Sequence, residues 1–163
     1  MPIGTEWLDD PSRALRAAGW SANRVCPELG RYRALLAAAG YPVPPPAVDF
    51  LAAYGGLAVP FRYAVTTRGG TSAYLDELRF DLDDCLDALE PAGRRDLTER
   101  LGAPFCPVGA WRSEMAALVM TGDGAVFSWG LGELLRCGPT GDAAVANIIA
   151  GSGLARWPEE DPW

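Results

Sequence analysis

The sequence predicts an α+β fold, and three observations carry that prediction. Two helical segments precede any strand, the stretch from Ala47 to Val59 switches from helical to strand character across a glycine pair, and two apolar runs flank the turn Gly122-Asp123-Gly124. Such an order suits helices packed on a mostly antiparallel sheet, whereas alternating βαβ units would need strand and helix to alternate throughout. With 163 residues, 49% of them hydrophobic, the chain fits one domain over 1–163 and can bury roughly two-thirds of its unfolded surface. Its prolines are dispersed rather than gathered into a linker, and no internal repeat is present.

Asp10 is placed to cap a first helix, Asp10 to Ala18, with Pro11 at its first position and Gly19 at its end. Pro27 opens a second helix in which Leu29, Tyr32, Leu35, Leu36 and Ala39 recur at helical spacing before Gly40, and Pro42 to Pro46 reads as a stiff spacer. Ala47, Phe50, Leu51 and Tyr54 fall at i, i+3, i+4 and i+7, so one face of a third helix is built for burial. Gly55 and Gly56 end it by taking the positive φ of a C-terminal cap.

Leu57 to Thr67 has the β-branched and aromatic character of a strand, Arg68 to Ser72 reads as a loop, and Ala73 to Leu82 alternates in part and becomes a strand near its end. Leu82, Cys85, Leu86 and Leu89 return to helical spacing, with Asp83, Asp84, Asp87 and Glu90 toward the opposite face. Pro91 is expected to end that helix, and Arg94 to Leu101 to form another, capped by Gly102. Phe105 to Val108 is a short strand ending at Gly109. Met115 to Thr121 and Ala125 to Trp129 form a hairpin, apolar on both faces and so central in the sheet. Glu133 to Cys137 is a strand, Asp142 begins a last helix with Val145, Ile148 and Ile149 inward, and Leu154 to Trp163 is a tail.

Composition closes much of the catalytic catalogue. The chain has no histidine and no lysine, which removes Ser-His-Asp and Cys-His chemistry, the usual zinc sites, the phosphate-loop lysine and Schiff bases. Gly130 and Gly132 lack the third glycine of a dinucleotide fingerprint, and Asp81, Asp83 and Asp84 start like a calcium loop but meet Cys85 where a third oxygen ligand belongs. No catalytic residue, metal or cofactor is expected. The acids of the segment 83–90 sit on a solvated face, a poor setting for the raised pKa a glycosidase-type acid needs. Cys26, Cys85, Cys106 and Cys137 form no CxxC pair and read as inert thiols. The acidic start MPIGTEWLDD has no apolar signal core and no run approaches the ~20 apolar residues of a spanning helix, so a cytoplasmic protein without membrane contact is expected.

Taken together and in order, several short segments resemble the third SUKH immunity family. They are Gly19-Trp20 with Arg24, the helix end Phe50-Leu51 to Tyr54-Gly55-Gly56-Leu57, the segment Leu101-Gly102 to Pro107-Val108-Gly109, the hairpin arm Gly124 to Phe127, and the late Gly138 before Ile149-Ala150-Gly151. The resemblance covers about residues 10–151 and implies a SUKH-like α+β domain with 154–163 as a C-terminal tail. It further implies an immunity protein, a binder rather than an enzyme, that neutralises a polymorphic toxin, many of which are nucleases or nucleic-acid deaminases. Packing and turns account for nearly all the signature positions, so they mark the fold and not the working surface.

The charge points to where that surface lies. A net charge of -7 argues against direct nucleic-acid binding and favours a basic partner. Between Asp76 and Glu90 stand seven acids, Asp76, Glu77, Asp81, Asp83, Asp84, Asp87 and Glu90, against the single Arg79. An acidic surface of this kind can occupy the basic cleft of a nuclease or deaminase as a phosphate mimic; the alternative is a merely solvated helix face. Trp7, Trp111, Trp157 and Trp163, near expected ends or loops, form a second candidate patch, while Trp20 and Trp129 are assigned to the core. The rival functions are a SUKH-type adaptor or scaffold for an endogenous protein and a small carboxylate enzyme built on Asp83, Asp84 and Asp87. Neither oligomeric state nor the toxin's identity can be read from the sequence.

Overall fold

The computed structural model describes residues 4–7, 10–87, 89–111, 115–130 and 132–158. Among them, eight strands form one antiparallel sheet in strict sequence order, β1 (Gly4–Trp7), β2 (Ala58–Thr67), β3 (Gly70–Arg79), β4 (Phe105–Trp111), β5 (Ala116–Thr121), β6 (Val126–Gly130), β7 (Glu133–Gly138) and β8 (Ala155–Arg156). The helices are α1 (Pro11–Ala17), α2 (Leu29–Ala38), α3 (Pro45–Tyr54), α4 (Leu82–Asp87), α5 (Pro91–Leu101) and α6 (Gly141–Ala150). This is the expected α+β class, but the expectation that two helices precede any strand is corrected by β1, which comes before α1 and pairs with β2. α3 and α4 rest on β4, α6 rests on β7, α1 bridges α6 and β2, and α2 lies against α3.

Side-chain caps set the starts of α1 and α6. Asp10 accepts the Arg13 N–H at 3.0 Å and Thr140 accepts the Ala143 N–H at 3.2 Å, each satisfying a donor that the first turn leaves open. Three expectations are corrected by proline and turn chemistry. Pro91 does not end a helix but starts α5, because a missing N–H costs nothing at a first helical position. Pro45 and Pro46 likewise begin α3, which shortens the spacer. The loop expected over Arg68 to Ser72 contracts to the two residues Arg68 and Gly69, since Thr67 pairs with Gly70 and β3 runs ten residues. Ala155 and Arg156, expected within a tail, pair with Arg136 and Leu135 as an edge strand.

The core is continuous from α3 to the β4–β7 meander. β5 is buried along its whole length, as expected for a central hairpin arm, and β4 beside it is too. Phe50, Tyr54 and Phe80 form an aromatic knot with ring centroids 4.8 to 5.6 Å apart, each such pair contributing about 1 kcal/mol beyond its buried area. Pro107 and Gly109 flank a bulge in β4, where proline's missing donor is tolerated. A Cβ at Gly109 would sit 2.8 Å from the Arg79 carbonyl oxygen.

The glycine pair after α3 divides its labour. Gly56 alone has positive φ, at 80°, whereas Gly55 has φ -50°. Gly55 is needed for space: a Cβ there would lie 2.4 Å from the Leu51 carbonyl oxygen and 3.0 Å from Cys26 Sγ. The left-handed expectation therefore holds for Gly56 and is replaced by close packing at Gly55. Gly55→Ala should lower stability by about 2 kcal/mol or more and Gly56→Ala by about 1 kcal/mol, read from urea midpoints. Equal, negligible costs would contradict this division.

All four cysteines are free and buried. Burial pushes the Cys85 and Cys106 thiols up to about 12 from an ordinary 9.0 and also raises the hydroxyls of Tyr32 and Tyr54. A group whose pKa is raised by folding stabilises the fold fully below its unfolded pKa and loses that contribution as pH climbs toward the folded value. The urea midpoint should therefore fall steadily as pH rises from 9 toward 12; a midpoint flat over that interval would contradict the burial of these groups.

Candidate partner-binding surface

The acidic segment begins within β3, where Asp76 pairs with Phe61 and Glu77 with Pro60 of β2. Asp76 and Glu77 are half-buried on β3; Asp76 accepts the Trp111 indole N–H at 3.1 Å and Glu77 accepts the Arg79 Nε–H at 2.5 Å. Asp81 accepts the Asp83 N–H at 3.0 Å across the start of α4. Asp83 and Asp84 occupy the first turn of α4, where a carboxylate is favoured by the helix dipole. Asp87 is the last residue of α4, and Glu90 is the N-cap residue of α5. Glu90 thus does not share the face of Asp83 and Asp87, because α4 stops at Asp87 and the chain turns before Pro91.

Tertiary packing also changes the charge balance. Arg31 on α2 reaches Asp83 at 2.9 Å while holding Glu28 at 3.2 Å, and Arg79 holds Asp84 at 3.2 Å as well as Glu77. All four acids and both arginines are at least one-third exposed, so solvent screens these pairs and they add little to stability. Their main effect is to damp the field around residues 77–84. Asp87 and Glu90 are exposed and make no ion pair among the described residues, which leaves the α4–α5 turn as the unscreened end of the segment.

The sequence run hides a second acidic site. Asp49 from α3, Asp123 from the β5–β6 turn and Asp142 from α6 line one cavity of about 390 Å³ beside Tyr54. The Tyr54 hydroxyl donates to Asp142 at 2.5 Å, so this signature tyrosine ties α3 to α6 as well as packing in the core. The Thr121 hydroxyl and the Ala125 N–H hold the Asp123 carboxyl below its usual range. The three acids are too far apart in sequence for any charge run to reveal them. A neighbouring cavity of about 640 Å³ is mostly apolar, walled by Phe105, Met120, Phe127 and Trp157.

Among the described residues, the tryptophans assigned to a surface patch are not brought together. Trp111 is 1% exposed, which overturns its assignment to an exposed end: its ring closes the core under β3 and its N–H is taken by Asp76. Trp157 is half-buried and meets Phe127 edge-to-face at 5.5 Å. Trp7 belongs to β1, and Trp163 lies outside the described residues. Trp20 and Trp129 pack against the core, Trp20 stacking on Tyr54 at 6.3 Å. The remaining signature residues are structural: Gly19 follows α1 with φ 98°, and Arg24 donates to the Ala53 and Gly55 carbonyls at 3.0 and 2.7 Å.

Among the described residues no group of three or more Cys, Asp and Glu side chains is arranged to hold a metal ion, and no helix is long and apolar enough to cross a membrane. Residues 9–151 match the family model described as SUKH-3 immunity protein, and the chain belongs to that family within the SUKH superfamily. Membership carries a toxin-immunity function, implies a cognate toxin as partner and argues for a non-catalytic protein. Comparison with curated proteins and with solved structures returned no match.

Proposed function

We propose that the protein binds a basic nuclease or nucleic-acid deaminase toxin stoichiometrically and blocks its active site or its access to substrate. The observation that carries this reading is the acidic segment Asp76 to Glu90, held on the rigid β3–α4–α5 corner of a SUKH-3 immunity domain. Its unscreened end, Asp87 and Glu90, gives the first long-range attraction to a basic cleft. Glu77, Asp83 and Asp84 then exchange their intramolecular arginines for the partner's at short range. Such a toxin attacks nucleic acid inside the cell, so the cytoplasm is where this inhibitor acts.

Coexpression with the product of the adjacent reading frame tests the function. That product should be lethal alone and harmless when both are made; lethality in both cases, or in neither, would contradict the proposal. The surface has a separate test. Reversing Asp87 and Glu90 to arginine should slow toxin association about tenfold at low salt and flatten its salt dependence. An unchanged association rate would remove this corner from the interface.

A further inference from the structure

Among the described residues the outer half of β3 is an open strand edge. Among the described residues β3 pairs with β4 only at Leu78 and Arg79, because β4 turns into β5 with Ala116 opposite Trp111. Gly70 to Leu75 are all exposed and, among the described residues, paired on one side only, to β2. The edge carries none of the usual protections: no charged side chain, no proline and no bulge interrupts it. Two large apolar side chains stand on it, Tyr74 at 50% and Leu75 at 71% exposure, and Tyr63 stacks on Tyr74 at 5.6 Å to stiffen the arm.

Its flanks decide what would pair with it. Arg68 precedes the uncharged stretch and Asp76 and Glu77 follow it, and Arg68 makes no hydrogen bond or ion pair among the described residues. A strand that reads positive, neutral, negative is complementary to an antiparallel copy of itself. Directly opposed residues in an antiparallel pair share a face. A twofold axis at Ser72 therefore sets Gly70 opposite Tyr74, the ring covering the bare backbone of the glycine, and brings Arg68, in the turn just before the strand, toward the end of the partner strand that carries Asp76 and Glu77. We propose that two copies of this chain associate through the Gly70–Leu75 edges of β3, with Ser72 facing Ser72, to form one continuous sheet. Residues 81–90 lie outside the paired stretch, whereas Asp76 and Glu77 belong to both surfaces, so toxin binding and self-association compete at that end of β3.

The full chain should show concentration-dependent dimerisation in sedimentation velocity, and Arg68→Glu should weaken the dimer about tenfold or more. Cross-linking fixes the register, and the four native thiols are buried and do not interfere. Facing residues lie about 4.5–5.5 Å apart between Cα atoms, within disulfide reach, whereas a residue one step off the axis meets its own copy at about 8 Å. Oxidised Ser72→Cys should thus give a covalent dimer and Thr71→Cys should not. A chain that stays monomeric at every concentration, a dimer indifferent to Arg68→Glu, or equal cross-linking at both positions would each overturn the proposal. So would an edge that pairs only with a strand of the toxin.

Discussion

The close approach of Gly55 to the last turn of α3 is the constraint on which the rest of the structure depends. Only a residue without a Cβ lets the chain pass the Leu51 carbonyl and the Cys26 thiol, and Arg24 then fixes the exit by binding the Ala53 and Gly55 carbonyls. From that exit the Gly56 N–H donates to the Phe80 carbonyl, and the Phe80 N–H donates to the Leu57 carbonyl, both at 2.9 Å. The junction thereby clamps the residue that separates Arg79 from Asp81. A fold determinant at α3 sets the position of the acidic corner through two backbone hydrogen bonds and the Phe50–Tyr54–Phe80 ring cluster.

Electrostatics at that corner is a balance rather than a simple excess. Arginines from α2 and β3 share their charge among Glu28, Glu77, Asp83 and Asp84, so much of the segment is locally neutral. Exposed pairs of this kind are cheap to break, and they keep the carboxylates oriented without locking them. Acids spent on buried, rigid ion pairs would be costly for a partner to recruit.

Local chemistry explains which parts were legible in the sequence. The Asp10 start, the α3 stripe and the central β5–β6 hairpin are written in caps, periodicity and turn residues that act over a few positions, whereas the last helix, expected from Asp142, starts at Gly141 behind a Thr140 cap. Pro91 was misread because a proline after an apolar helix face can end one helix or begin the next, and the choice depends on how far α4 extends. Trp111 looked terminal because only the register of β3 against β4 places it under Asp76. Long-range partnership was invisible altogether: Arg31 stands 52 positions from Asp83, and the cavity shared by Asp49, Asp123 and Asp142 draws on three separated elements.

The central claim is that the signature junction builds the domain while the acidic corner meets the toxin. Amide hydrogen exchange on the protein alone and in complex with its toxin tests this most directly. The account predicts new protection within residues 76–90 and unchanged, already strong protection from Phe50 to Leu57. Protection gained at the junction, with 76–90 exchanging as in the free protein, would contradict it.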